Sequence, residues 1–169
     1  MKKILIALDY NPSAQKVAEI GHELASSMNA KTILLHVISD ATYYSSLNYS
    51  PIMGFESFSN AIETNSAEEL KRAAENYLDK SKEYLNDQTV QTIVRKGVFA
   101  ETILNTAKEL DADVIVMGTH SRRGLEKILM GSVAENVLRH SPLPVFIIPT
   151  KGIIRSNGQE NHKGSKKKA

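Results

Sequence analysis

Residues 113–149 read DVIVMGTHSRRGLEKILMGSVAENVLRHSPLPVFIIP, and the architecture is clearest here. It opens on Val114-Ile115-Val116-Met117, an apolar run that stops at Gly118. A short unbroken run of this kind, bounded by glycine, predicts a strand buried on both faces, and hence a parallel sheet covered by helices. Beyond Gly118 come Ser121, then Leu125, Ile128 and Leu129 at helical spacing, then Gly131-Ser132. Ser132 followed by Glu135 has the form of a capping box, opening a helix whose buried stripe is Val133, Val137 and Leu138. Pro142 and Pro144 end that helix, and Val145-Phe146-Ile147-Ile148 predicts a last strand.

A strand ending in glycine and a helix starting on Gly-Ser admit two readings. The pair can form an anion site, because glycines let backbone amides approach a ligand and the unpaired N–H groups of a helix start face a phosphate. Equally, Gly118 and Gly131 can be plain turn residues and Ser132 a plain cap.

Working outward, residues 3–8 (KILIAL) predict a buried first strand ending at Asp9. Asn11-Pro12 predicts an N-cap with proline at the first helical position, and Val17, Ile20, Gly21, Leu24 and Met28 form the stripe of the helix that follows. His22 beside that stripe reads as a surface residue. Residues 32–38 (TILLHVI) predict a second buried strand, in which His36 reads as a hydrogen-bonded core histidine. Ser66 with Glu69 is a second capping box, opening a helix to about Leu85 with Leu70, Ala73, Ala74, Tyr77, Leu78, Ser81 and Leu85 inward. Residues 89–94 alternate as a third strand ending at Gly97, and Glu101 to Leu110 predicts a third helix. Strands alternating with helices at this pitch predict an α/β fold, a doubly wound five-stranded parallel sheet. Right-handed crossovers give it the order 3-2-1-4-5, with a switch point between the first and fourth strands.

Composition bounds the rest. At 169 residues the chain reads as one folded domain over 1–150 and a tail over 151–169. The absence of cysteine excludes thiol redox work, disulfides and cysteine-ligated metal sites. Only five apolar residues precede Asp9 after Lys3, too few for a signal peptide or a membrane span, so a cytoplasmic protein is expected. The formal charge of +2 hides a split. The tail holds Lys151, Arg155, Lys163, Lys166, Lys167 and Lys168 against Glu160, so it is +5 and the first 150 residues are −3. A mildly acidic folded part argues against nucleic acid as a partner, and the polar tail reads as disordered. Residues 39–65 exceed an ordinary connection, yet carry Tyr43, Tyr44, Tyr49, Phe55 and Phe58. Disordered linkers avoid aromatics, so part of this insertion is expected to pack over a ligand crevice or against a partner.

The 113–149 segment resembles the universal stress protein family, whose ATP-binding members carry Gly, two residues, Gly, nine residues, Gly, then Ser or Thr. Here the frame is Gly118, Thr119-His120, Ser121, nine residues from Arg122, then Gly131-Ser132. The spacing is intact, and serine stands at the second glycine position. With the first strand, the resemblance extends over most of residues 1–149 and implies a Rossmann-like nucleotide-binding domain. It implies an adenine flanked by Leu8, Val37 and Met117, with backbone groups near Ala7 and Val37 bonding its edge. It puts Asp9 and Gly118 at the ribose and Ser121, Gly131, Ser132, Val133 and Ala134 at the phosphates. Asp9 has an alternative role as a capping carboxylate on the Asn11-Pro12 turn. The ligand implied is ATP, AMP or another adenine nucleotide, with Mg²⁺ entering through the phosphates. The family also pairs its last strand across a two-fold axis, which implies a homodimer through residues 145–148.

No P-loop, dinucleotide-binding glycine turn or nucleophile–base arrangement occurs in the chain, so the residues predict binding rather than turnover. Two rivals stand beside a nucleotide-binding stress sensor. One is a slow ATPase or phosphotransfer enzyme using Asp9 and Mg²⁺; the other is a nucleotide-free dimeric interaction module.

Overall fold

A computed structural model of the protein describes residues 1–39, 66–119 and 130–150. The aromatic insertion beyond Ser39, residues 120–129 with Ser121, Leu125, Ile128 and Leu129, and the basic tail lie outside these.

Five strands and four helices alternate among the described residues. In chain order they are β1 (Lys3–Ala7), α1 (Ala14–Ser27), β2 (Lys31–Ile38), α2 (Ala67–Leu85), β3 (Gln91–Lys96), α3 (Phe99–Glu109), β4 (Val114–Thr119), α4 (Ser132–His140) and β5 (Val145–Pro149). The sheet order is β3-β2-β1-β4-β5, with every neighbouring pair parallel. This is the 3-2-1-4-5 order that the alternation and right-handed crossovers predict.

Two apolar clusters sandwich the sheet. Successive strand residues face opposite sides, so Ile4, Ile6 and Leu8 join α1 and α2 residues on one face. Leu5, Leu35, Val37, Ile115 and Met117 join α3 and α4 residues on the other. Ile4, Leu5, Ile6, Ile115 and Val116 have no exposed surface, as strands covered on both sides require. Removing one such side chain to alanine costs about 2–5 kcal/mol. Gly21 lets α1 sit close to the sheet: a β-carbon there would fall 2.6 Å from Ile6 Cδ1 and 3.2 Å from Val116 Cγ1.

The Ser66–Glu69 capping pattern is realised, since the Ser66 hydroxyl accepts the Glu69 N–H at 3.3 Å. The similar pattern at Ser132 is not. Gly131, extended at φ −62° and ψ 152°, is the N-cap and Ser132 is already helical. Leu138 is exposed rather than part of the stripe, because Ala134 and Val137 hold the inward line of α4. Strand β4 also continues through Gly118 to Thr119. Gly118 is thus a strand residue, and its missing side chain matters for packing. A β-carbon there would fall 2.8 Å from Thr150 Cγ2 and 3.0 Å from Val17 Cγ2.

Helix α1 begins at Ala14, later than Asn11-Pro12 suggests. The Asn11 side chain still caps the turn before it, with Oδ1 accepting the Ser13 N–H at 3.0 Å and the Ser13 hydroxyl at 2.7 Å. Helix α3 starts earlier than predicted, at Phe99, where Gly97 at φ 153° reverses the chain and extended Val98 is the cap.

Candidate functional site

Ligands of open α/β sheets bind beyond the carboxyl ends of the strands where the order reverses, here between β1 and β4. Ala7 ends β1 with Met117 directly opposite on β4 and Leu35 opposite on β2. The Leu8 N–H continues this pairing to the Leu35 carbonyl at 2.9 Å, so Val37 stands two residues further along β2. Val37, Met117 and Ala134 share the cluster on the α3/α4 face, with Ala7, Met130 and Val133 packed against it and half-buried. Five of the sequence-predicted positions therefore share one face, Ala7, Val37, Met117, Val133 and Ala134, and Gly131 caps the helix that carries the last two.

The other predicted residues are placed differently. The Leu8 side chain lies in the α1/α2 cluster, on the opposite face from Val37 and Met117. The space where Gly118 would carry a side chain also opens toward that face, at Val17. Ser132 is exposed at the start of α4, and Ser121 lies outside the described residues.

At the start of α4 the first-turn amides have no intrahelical acceptors and carry the positive end of the helix dipole. The Glu135 N–H is taken by the Gly131 carbonyl at 2.9 Å. The Glu135 carboxylate has the wrong sign for a neighbouring phosphate, but it turns along the helix to Arg139 at 2.8 Å.

Asp9 follows the end of β1 and is half-buried. Its Oδ1 accepts the Asn11 N–H at 3.2 Å, which is the turn-capping role considered for it. A carboxylate offers about four lone-pair sites, so this bond is compatible with accepting ribose hydroxyls as well.

Sequence reasoning missed a cluster beneath this turn. Tyr10, His36 and Tyr77 pack their rings together, with Tyr10 centroids 4.6 Å from each of the other two. All three are at most 5% exposed. His36 Nδ1 meets the Leu8 carbonyl at 2.8 Å, and the Tyr77 hydroxyl donates to the Asp9 carbonyl at 2.8 Å. Burial lowers the His36 pKa to about 4, a shift that the Leu8 bond partly opposes. Burial, and secondarily the Asp9 charge, push the Tyr77 hydroxyl up, so it remains a donor. The signal available in sequence was Tyr77 on the inward stripe of a helix, since a buried tyrosine hydroxyl needs a partner.

Among the described residues no helix is long and apolar enough to cross a membrane. No group of three or more His, Cys, Asp or Glu among them converges to hold a metal ion.

Comparison with known proteins adds relatives to this geometry. The sequence profile of the universal stress protein family matches residues 1–149. Universal stress protein MJ0577 of Methanocaldococcus jannaschii is 30% identical over 155 residues, spanning 89% of this chain and 96% of the relative. Its solved structure superposes with a TM-score of 0.64, covering 88% of this chain and 95% of that one. Universal stress protein YxiE of Bacillus subtilis is 31% identical over 148 residues, covering 86% of this chain and 97% of the relative. The same fold recurs at 19% identity and TM-score 0.57 in a universal stress protein complexed with cAMP, over 88% and 97% of the two chains. It recurs at 20% identity and TM-score 0.56 in an Archaeoglobus fulgidus universal stress protein complexed with dAMP, over 88% and 98%.

Proposed function

We propose that this chain, which belongs to the universal stress protein family, binds an adenine nucleotide, ATP in the first instance, as a stress-response sensor or interaction module. The observation that carries the reading is the meeting of the β1 and β4 ends with the start of α4. An apolar wall, a carboxylate and a set of helix-start amides are the three kinds of group that base, ribose and phosphate require, which supports the reading.

In this reading the adenine packs on Val37 and Met117, with backbone groups near Ala7 and Val37 bonding its edge. Leu8 takes no part at the base, because its side chain serves the other face and its N–H and carbonyl are bonded to Leu35 and His36. Asp9 accepts ribose hydroxyls beside Gly118. The backbone of Gly131, Ser132, Val133 and Ala134 receives the phosphates, joined by Ser121 from the glycine-motif frame. Mg²⁺ is assigned to the phosphates alone, with no protein ligand named. Two fold neighbours hold cAMP and dAMP, so this architecture accommodates an adenine nucleotide in those proteins.

Among the described residues strand β5 pairs only with β4, which offers its outer edge to a second copy of the chain in a homodimer. Isothermal calorimetry with ATP, ADP and AMP, run beside a phosphate-release assay, tests the function. The expected result is binding at micromolar to sub-millimolar Kd, which is about 4–8 kcal/mol. Turnover should lie far below the ~1–10³ s⁻¹ of ordinary enzymes. Hydrolysis within that range, abolished by Asp9→Ala, would replace this reading with the enzymatic one.

A further inference from the structure

Two consecutive carbonyls at the end of β1 are held by side chains from two other elements. His36 on β2 bonds the Leu8 carbonyl, and Tyr77 on α2, 68 residues along the chain from Asp9, bonds the Asp9 carbonyl. A carbonyl only accepts, so His36 Nδ1 carries its proton and is the donor.

The Leu8 carbonyl belongs to the peptide plane before Asp9, and the Asp9 carbonyl to the plane after it. Each peptide is planar and each residue has only two soft dihedrals, so fixing both planes fixes φ and ψ of Asp9 together. The Asn11 N–H then orients the carboxylate at Oδ1, and Asn11 is itself held through its side chain to Ser13. Ring packing keeps the two donors in place: His36 and Tyr77 lie 5.7 Å apart at their centroids, with Tyr10 against both. Apolar side chains would fill this part of the core without the desolvation that a buried imidazole and phenol incur. What the polar pair adds is control over the backbone of one residue.

We propose that Tyr77 and His36 are positioning residues for Asp9, holding its carboxylate where it can accept the ribose hydroxyls of a bound nucleotide. This rests on the nucleotide-binding reading above. It ties helix α2 to the ligand through a single hydroxyl, and it predicts that losing the hydroxyl harms ribose recognition specifically.

The test crosses protein variants with ligands. Binding of ATP and of 2′,3′-dideoxy-ATP, which lacks both ribose hydroxyls, is measured by calorimetry for wild type, Asp9→Ala and Tyr77→Phe, with thermal melts to check folding. Wild type should prefer ATP. Tyr77→Phe should weaken ATP about three- to tenfold, the worth of one neutral hydrogen bond. It should leave dideoxy-ATP within twofold of wild type and erase the ATP preference as Asp9→Ala does. Equal losses for both ligands would reduce Tyr77 to a structural role and overturn the inference, as would unchanged ATP binding. Wild type that binds neither ligand would instead overturn the nucleotide-binding reading on which the inference stands. Should Tyr77→Phe fail to fold, His36 decides. His36→Asn, which keeps a donor near the Nδ1 position, should retain the ATP preference, and His36→Leu should lose it. Identical ligand preferences in the two His36 variants would overturn the inference.

Discussion

His36 donates its Nδ1–H to the backbone carbonyl of Leu8 at 2.8 Å from a position only 3% exposed. The folded protein therefore holds this imidazole neutral, with a pKa lowered from 6.5 to about 4 by burial. Between those values the unfolded chain binds a proton that the folded chain does not, so stability rises with pH and is lost as pH falls. The slope contributed by one group approaches ~1.4 kcal/mol per pH unit. Chemical denaturation at pH 6.5 and pH 5 should show wild type losing on the order of 1.5 kcal/mol more than His36→Asn, which has no such proton to take up. Parallel pH curves for the two proteins would mean that His36 does not titrate in this way.

Gly118 should be required for packing. Gly118→Ala brings a methyl group to about contact-breaking distance of Thr150 Cγ2 at 2.8 Å and Val17 Cγ2 at 3.0 Å. Overpacking of this kind costs about 1–3 kcal/mol. Thr150→Ser removes one of the two obstacles and keeps the hydroxyl that donates to the Thr119 carbonyl. The double variant should melt above Gly118→Ala alone. Additive losses in the pair would show that the clash at Thr150 is not the source.

Most of the fold was legible because its strands are covered on both faces. An apolar run such as Val114 to Met117 has only one place to go, and the same holds for residues 3–8. The Ser66 and Ser132 patterns look alike in sequence but differ in structure. Ser66 is extended and caps its helix, whereas Gly131 takes the extended position one residue before Ser132. A glycine at the cap needs no side-chain oxygen, so no polar signal marked the true start. The start of helix α3 carries no polar mark for the same reason, since its cap is Val98. At the site, strand ends and the α4 start followed from topology. The opposed faces of Leu8 and Val37 depend on strand parity, and the hydrogen bonds to Leu8 and Asp9 link residues far apart in sequence. Neither leaves a local motif.

The outer edge of β5 is expected to carry the homodimer. Phe146 is 43% exposed there, while Ile147 packs against the α3/α4 cluster. Phe146→Lys therefore charges the edge with least damage to the core. Light scattering at micromolar concentration should give a dimer for wild type and a monomer for Phe146→Lys. A monomeric wild type would remove the edge-pairing proposal.

Nucleotide binding by Gly131→Val is the measurement closest to the central claim. Gly131 sits at φ −62° and ψ 152°, a backbone that valine adopts freely, so the substitution spares the turn. Its side chain would occupy the approach to the α4 start, and replacing glycine by valine at a cap costs only ~1 kcal/mol of stability. Calorimetry should find ATP bound by wild type at micromolar to sub-millimolar Kd and no detectable binding by a folded Gly131→Val. A wild type that binds no adenine nucleotide, or a variant that binds ATP as well as wild type does, would contradict the account.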